Sequence, residues 1–279
     1  MVGAVIVKND TIIGRGYHRR FGGNHAEINA INTASAQVKG ATLYVTLEPC
    51  CHEGKTPPCV NRIIEEKFSR VVIGSIDSNP LVSCQGIDFL KNSQTGEKPF
   101  FLYLAFTAPH WPLHAFPEDI QKYRGKYLAG WDELRKSRFQ KMKQLGIINP
   151  ECRLSPRDAN VPEWNSLSPD EKDMWDLRMA VYAAMIDRLD RNIGRVLNRI
   201  EQMGELRNTL VIFLSDNGGC HERTKNQGNF IPFPGITGQP DSFDAYETPW
   251  ANVSNTPFRM HKHWVHEGGI STPFIASFP

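Results

Sequence analysis

The string His25-Ala26-Glu27, followed by Pro49-Cys50 and then Cys59, constrains this chain more than any other feature. A zinc ion takes nitrogen and sulfur ligands in a tetrahedron, and a catalytic zinc keeps one position open for water. One His and two Cys supply three ligands. Glu27 stands two residues beyond the His, where a carboxylate can handle protons without binding the metal. Any one of these residues alone would read as structural, since free Cys is commonly a buried apolar residue. Taken with the Glu, the Pro before Cys50 and the strand-like run leading into it, they form a metal-site motif in its expected context. The fold must therefore bring positions 25, 50 and 59 to one place.

Composition bounds the remaining choices. A chain of 279 residues makes one large domain or two ordinary ones. With 40% hydrophobic and 22% charged residues, it has the make-up of a soluble globular protein. A net charge of +2 implies no polyanion, hence no nucleic-acid partner. Three of the 6 Cys are assigned to the metal, and the chain is too long for a disulfide scaffold. No apolar run has the length of a membrane span, so no membrane partner is expected. Met1–Val7 is apolar but short and lacks a basic n-region. It reads as a strand rather than a signal peptide, which places the chain in the cytoplasm.

The first part alternates strand and helix. Val2–Val7 and Thr11–Gly16 are β-rich runs around Asn9-Asp10 and read as a hairpin. Ala26–Ala36 carries Ile28, Ile31 and Ala34 at helical spacing, so His25 and Glu27 sit at a helix start. Ala41–Leu47 is a third strand, Pro58–Lys67 a second helix with Pro at its start, and Arg70–Ser75 a fourth strand. This order predicts an α/β layer fold, a mixed sheet with flanking helices.

Residues 1 to about 82 resemble the deaminase domain of the bifunctional riboflavin-biosynthesis deaminase/reductase, a member of the cytidine-deaminase-like zinc family. The resemblance is carried by Val2-Gly3-Ala4-Val5-Ile6-Val7, Gly16-Tyr17-His18 and His25-Ala26-Glu27. It continues through Thr46-Leu47-Glu48-Pro49-Cys50-Cys51-His52-Glu53-Gly54-Lys55-Thr56-Pro57-Pro58-Cys59 and Asp77-Ser78-Asn79-Pro80-Leu81-Val82. It implies a zinc-dependent deaminase domain over 1–83 and a phosphorylated pyrimidine substrate, a diaminopyrimidinone ribosylamino 5'-phosphate. It also implies substrate contacts from His18, His52, Lys55, Asp77 and Asn79. Read from residue type alone, Asp77 and Asn79 would serve equally as turn residues beside Pro80. Lys55 is not a P-loop lysine, because the glycine spacing is wrong, but it suits a phosphate as a point charge. The family carries a helix and an Asn-Pro pair ahead of the position matching Met1. The Asn is a substrate contact there, so low activity is the expectation here.

From about Gly86 the pattern changes. Ile87–Lys91 reads as a short helix and Phe100–Phe106 as a buried strand. A Pro- and charge-rich region runs to Ser168. Ser168-Pro169-Asp170-Glu171 is a helix start with a capping box. Met174, Leu177, Val181, Met185, Ile193, Val196, Leu197 and Ile200 follow at helical spacing as packing surface. Thr209–Leu214 reads as another buried strand, ending at Ser215-Asp216-Asn217-Gly218.

Residues from about 86 to 279 resemble the central part of an arylsulfatase-type sulfatase. The strings are Pro99–Ala105, Pro109-His110-Trp111-Pro112, Ser215-Asp216-Asn217-Gly218, Asn255-Thr256-Pro257-Phe258-Arg259 with Lys262, and Glu267–Pro273. The resemblance implies a partial alkaline-phosphatase/sulfatase-like α/β region, calcium ligation by Asp216 and Asn217, and sulfate binding by His110 and Lys262. A carboxylate and an amide oxygen suit that hard cation. The family's nucleophile comes from a Cys/Ser-x-Pro-Ser/x-Arg string. Cys152-Arg153-Leu154-Ser155-Pro156-Arg157 only imitates it, with the Pro displaced. This part is therefore expected to be a vestigial site without turnover. The expectation is a chimera of two truncated families: a deaminase with a sulfatase-like remnant, a sulfatase fragment, or a chain with neither activity. Sulfatases of this type are usually exported, against the cytoplasmic reading of the first part. Homo-oligomerisation is left open.

Overall fold

The computed structural model describes residues 2–74, 82, 85–92, 101–222 and 235–278. The chain divides into two compact units, Met1–Thr107 and Ala108–Pro279. Among the described residues no helix is long and apolar enough to cross a membrane.

The first unit is built on a four-stranded mixed sheet in the order β2-β1-β3-β4. Strands β1 (Gly3–Lys8) and β2 (Thr11–Tyr17) form the hairpin. Asn9 and Asp10 turn it with φ of 49° and 57°, the left-handed pair that matches strand twist. Helix α1 spans Ala26–Asn32 and stops short of the expected Ala36. Thr33 ends it by turning its hydroxyl to the carbonyl of Arg15, 2.7 Å away on β2. Strand β3 (Thr42–Val45) is antiparallel to β1, and β4 (Arg70–Ile73) runs parallel to β3 after the crossover helix α2 (Cys59–Glu65). Ile6 and Leu43 on the sheet are 0% exposed, with Ala30 of α1 also fully buried against them.

Helix α1 lies so close to β2 that Gly16 admits no side chain. A Cβ there would stand 2.2 Å from the carbonyl oxygen of Ala26. That contact fixes the start of α1, where His25 and Glu27 sit. Helix α3 (Gln85–Asn92) packs Ile87 and Leu90 against the sheet's core, and its N-terminal amides of Gly86 and Ile87 donate to the buried Glu48 carboxylate at 3.0 and 3.3 Å. Of the expected buried strand Phe100–Phe106, the described residues 101–106 form none: among them only Leu104 bridges, to Ile73, and Phe101 and Tyr103 are 65% and 56% exposed. With a partner on one side, the run buries alternate residues at most.

In the second unit, α4 (Pro117–Gln121) and α5 (Gly130–Gln144) lie within the Pro- and charge-rich region. The apolar pattern of α5 is thin, and the helix is held by Trp131, 0% exposed, packed edge-on to Trp164 and Trp250 with centroids 4.7 and 5.6 Å away. Gly130 opens it at φ +82° because a Cβ would meet the Trp164 ring at 2.2 Å. The long helix α6 (Pro169–Gln202) starts at the expected capping box: Glu171 N–H donates to Ser168 Oγ at 3.3 Å and Ser168 N–H to Glu171 Oε2 at 2.8 Å. Val181, Met185 and Val196 of the anticipated stripe are buried. So are Asp176 and Arg178, which no apolar period could indicate. Arg178 pairs with Asp244 and Glu247 at 3.0 Å each.

Strand β5 (Val211–Leu214) pairs only with β6 (Phe274–Ser277) among the described residues. The expectation that Thr209–Leu214 is buried fails for this reason. A two-stranded ladder covers neither of its faces, and Ile212, Phe213 and Leu214 remain 51%, 41% and 53% exposed. Short helices α7 (Glu247–Ser254) and α8 (Glu267–Ile270) complete the unit.

Two outcomes are expected. Gly16→Val should lower stability by about 1–3 kcal/mol through overpacking and should also reduce metal content, because α1 must move outward. Unchanged melting and metal content would contradict the close packing. Asp119, 1% exposed on α4, receives Lys122 at 3.0 Å, Arg188 Nε at 2.7 Å and Arg191 at 2.5 Å. Burial pushes its carboxyl up, but the three cations win and hold it below the usual carboxylate value. A depressed folded value contributes stability above the unfolded pKa of about 3.9 that is lost as pH falls through the folded value. Asp119→Asn should therefore melt lower than the parent at pH 7, with the gap narrowing below about pH 4.

Candidate metal centre and anion site

The metal centre is assembled from two helix starts and one turn. His25 is the N-cap of α1, Cys59 is the first residue of α2, and Cys50 follows β3. The Val60 N–H donates to the Cys50 carbonyl at 3.2 Å and the Cys59 N–H to Cys50 Sγ at 3.3 Å, which folds the loop between the two cysteines back on itself. His25 Nδ1 then lies 3.4 Å from both Cys50 Sγ and Cys59 Sγ. Zinc bonds of about 2.0–2.1 Å to nitrogen and about 2.3 Å to sulfur give a tetrahedral N–S edge of roughly 3.6 Å. The donors stand almost at that spacing, so nitrogen and sulfur type, number and separation all fit zinc.

The titration behaviour follows from the same contacts. The Cys59 thiol and its backbone N–H lower the Cys50 pKa to about 5 despite burial, with His25 adding to the effect. Cys59, donating to that thiolate and itself buried, is pushed up. Glu27 is 3% exposed, and burial raises its carboxyl above the ordinary value. Its Oε2 is buried without a hydrogen-bond partner. An orphaned carboxylate oxygen costs free energy unless something else uses it, and beside three metal donors a reacting group is the natural user.

Above the donors opens a cleft lined by His18, His52, Lys55 and Phe21. The His18 ring meets the His25 ring edge-on at 5.2 Å. His52 Nδ1 is buried and unpartnered. Lys55 Nζ lies 4.1 Å from the centre of the exposed Phe21 ring. Asp77 and Asn79 lie outside the described residues. Nothing in the sequence marks Glu48, although it holds α3 beside the Pro49-Cys50 turn. No local pattern marks a carboxylate whose partners lie nearly forty residues ahead.

In the second unit His110 and Lys262 meet, with Lys262 Nζ 3.0 Å from His110 Nε2. Asp216 is exposed, and the Asn217 amide donates to the Gly218 carbonyl at 3.0 Å. Two oxygens on adjacent residues fall short of the about six to eight that calcium takes. Among the described residues, groups of three or more His, Cys, Asp or Glu donors form at His25, Cys50, Cys59 and at His110, Cys220, Glu222, and Asp216 is in neither. To hold calcium, Asp216 and Asn217 would need further oxygen ligands. Ser155, in the string that imitates the nucleophile motif, bonds the Phe258 carbonyl at 3.0 Å and receives Arg135 at 2.9 Å, a bracing role.

Residues 74–279 match the Sulfatase family model. The chain belongs to the sulfatase family. Residues 1–75 match a second model, the cytidine and deoxycytidylate deaminase zinc-binding region, so the chain joins two families. It is 40% identical over 213 residues to an uncharacterized sulfatase of Schizosaccharomyces pombe, covering 69% of this chain and 36% of that protein. An arylsulfatase of Klebsiella aerogenes is 38% identical over 191 residues, 66% of this chain and 41% of the relative. The first part is 53% identical over 90 residues to a diaminohydroxyphosphoribosylamino-pyrimidine deaminase of Buchnera aphidicola, 32% of this chain and 61% of the relative. The chain thus spans about a third to three fifths of the length of these relatives. The α/β class and mixed sheet expected of the first part agree with this membership.

Cys59→Ala should remove one equivalent of zinc per chain, measured by elemental analysis after gel filtration. Full retention of that equivalent would show that the three donors do not act together.

Proposed function

We propose that the first part catalyses zinc-dependent hydrolytic deamination of a diaminopyrimidinone ribosylamino 5'-phosphate. The observation that carries this is the convergence of His25, Cys50 and Cys59 at near-tetrahedral spacing beside a buried, partnerless Glu27 oxygen. The substrate class rests on the likeness to the Buchnera aphidicola deaminase.

His25, Cys50 and Cys59 would hold the zinc, whose chemistry is to bring the pKa of a water toward neutrality. Glu27 is kept off the metal by its place on the first turn of α1. Its raised pKa suits a group that passes one proton of the water to the ring nitrogen and then the second, from the hydroxyl left on the ring carbon, to the amine, which departs as ammonia as the carbonyl forms. Lys55 stands at the cleft mouth on a loop and would attract the 5'-phosphate, acting on binding rather than chemistry. His18 and His52 would position the ring and ribose from the cleft walls. Asp77 and Asn79 complete the proposed contacts.

The His110–Lys262 pair favours a second, separate reading for the sulfatase part: an anion-holding site for sulfate without turnover. No Cys/Ser-x-Pro-x-Arg string occurs in the sequence to supply a nucleophile. Arylsulfatase turnover by the purified chain would refute it.

Glu27→Gln should keep its zinc and lose ammonia release by about 10²-fold or more, as expected for a proton carrier. Lys55→Ala should raise KM with kcat little changed. Parent-like ammonia release by Glu27→Gln would sink the proton-shuttle assignment. A lowered kcat with unchanged KM in Lys55→Ala would move that residue from binding to chemistry.

A further inference from the structure

The second unit contains a group of donors of which the deaminase reading uses none and the sulfate reading uses His110 alone. His110, Cys220 and Glu222 place an imidazole nitrogen, a sulfur and a carboxylate oxygen all within 4.8 Å of one another. We propose that they form a second zinc-class site, independent of the site at His25, Cys50 and Cys59.

The spacing supports this. Cys220 Sγ lies 3.3 Å from Glu222 Oε2. Zinc bonds of about 2.3 Å to sulfur and about 2.0–2.2 Å to oxygen give a tetrahedral S–O edge of roughly 3.5 Å. The proton now shared between thiol and carboxylate occupies the place where a metal would bind both.

The tautomer of His110 is set by its partners. Its Nδ1 lies 2.8 Å from the Trp111 carbonyl, which can only accept, so Nδ1 carries the hydrogen. Its Nε2 lies 3.0 Å from the Lys262 ammonium, which can only donate, so Nε2 offers its lone pair. A ring whose one nitrogen is fixed by a carbonyl and whose other carries the lone pair is the usual preparation of a metal-ligating His, and here Lys262 holds that lone pair until it turns away. Glu222 is prepared likewise, because Trp111 Nε1–H donates to its Oε2 at 2.8 Å. Trp111 therefore orients two of the three donors, one through its carbonyl and one through its indole.

Charge permits the exchange. A divalent ion with one thiolate and one carboxylate is neutral overall, so Lys262 can turn away from Nε2 without facing net repulsion. Binding releases the Cys220 proton to solvent. Cys220 is buried, while the exposed His110 gives the ion an entry path. Three ligands leave a fourth position for water. A thiolate and an imidazole select zinc or cobalt over calcium or magnesium.

The test uses the full chain, stripped with chelator and reloaded with Zn²⁺ or Co²⁺. The intact chain should hold two zinc equivalents, and Cys220→Ser and His110→Ala one each. Glu222→Gln, which keeps an acceptor for Trp111, guards against misfolding and should weaken the second equivalent about 10-fold or more. With Co²⁺, the Cys50→Ser/Cys59→Ser variant should keep a single-thiolate charge-transfer band that Cys220→Ser removes. Zinc should shield Cys220 from iodoacetamide while leaving Cys152 reactive. A chain that holds one equivalent, lost in Cys59→Ala and unaffected by Cys220→Ser, overturns the second site and leaves the first standing. One equivalent lost only in Cys220→Ser does the reverse. Two equivalents retained in both Cys220→Ser and Glu222→Gln overturn the proposal outright.

Discussion

Three donor atoms that must share one point in space organise the first unit. His25, Cys50 and Cys59 come from separate stretches, and each is held by backbone rather than by its own side chain. The start of α1 is fixed by its contact with Gly16 on β2. The Cys50 turn is held by amides of Cys59 and Val60, and α3 is anchored beside it by Glu48. The sheet between these points packs about Ile6 and Leu43, both wholly buried. A donor set built this way pays its ordering entropy during folding, before any metal arrives, which is what preorganisation means for a site of this kind.

The second unit is stabilised differently. Its centre is Trp131, edge-on to both Trp164 and Trp250, braced by ion pairs that are buried on the acidic or the basic side. Asp176 illustrates the device: it accepts from the amides of Gly125 and Tyr127 at 2.8 and 3.0 Å and pairs with Arg124. Removing one partner of such a pair leaves an uncompensated buried charge, which costs more than the pair contributes. Around this core the β5–β6 ladder stands with its apolar side chains largely in solvent. Runs of that composition in α/β proteins lie inside larger sheets, so this ladder carries the pattern of an interior sheet without the described neighbours that would bury it.

The elements with strong local signals were legible in the sequence. The Asn9-Asp10 hairpin, the Ser168–Glu171 capping box and the length of α6 all follow from short-range chemistry. Helix α5 was not legible, because Gly130 and Trp131 hold it through tertiary contacts with Trp164 and its apolar period is weak. Phe100–Phe106 and Thr209–Leu214 misled for the opposite reason. An apolar run states that a strand would be stable if covered on both faces, and it cannot state how many strands are there to cover it.

The sequence by itself determined which residues could hold zinc and which carboxylate could carry its proton, because donor type and the His-x-Glu, Pro-Cys and Cys spacing are local chemical facts. Only the tertiary structure decided that His25 Nδ1 stands equidistant from two sulfurs, that one oxygen of Glu27 is buried without a partner, and that Trp111 aligns His110 with Glu222. Those are relations between residues tens to more than a hundred positions apart. They depend on how sheet and helices pack, and no periodicity along the chain records them.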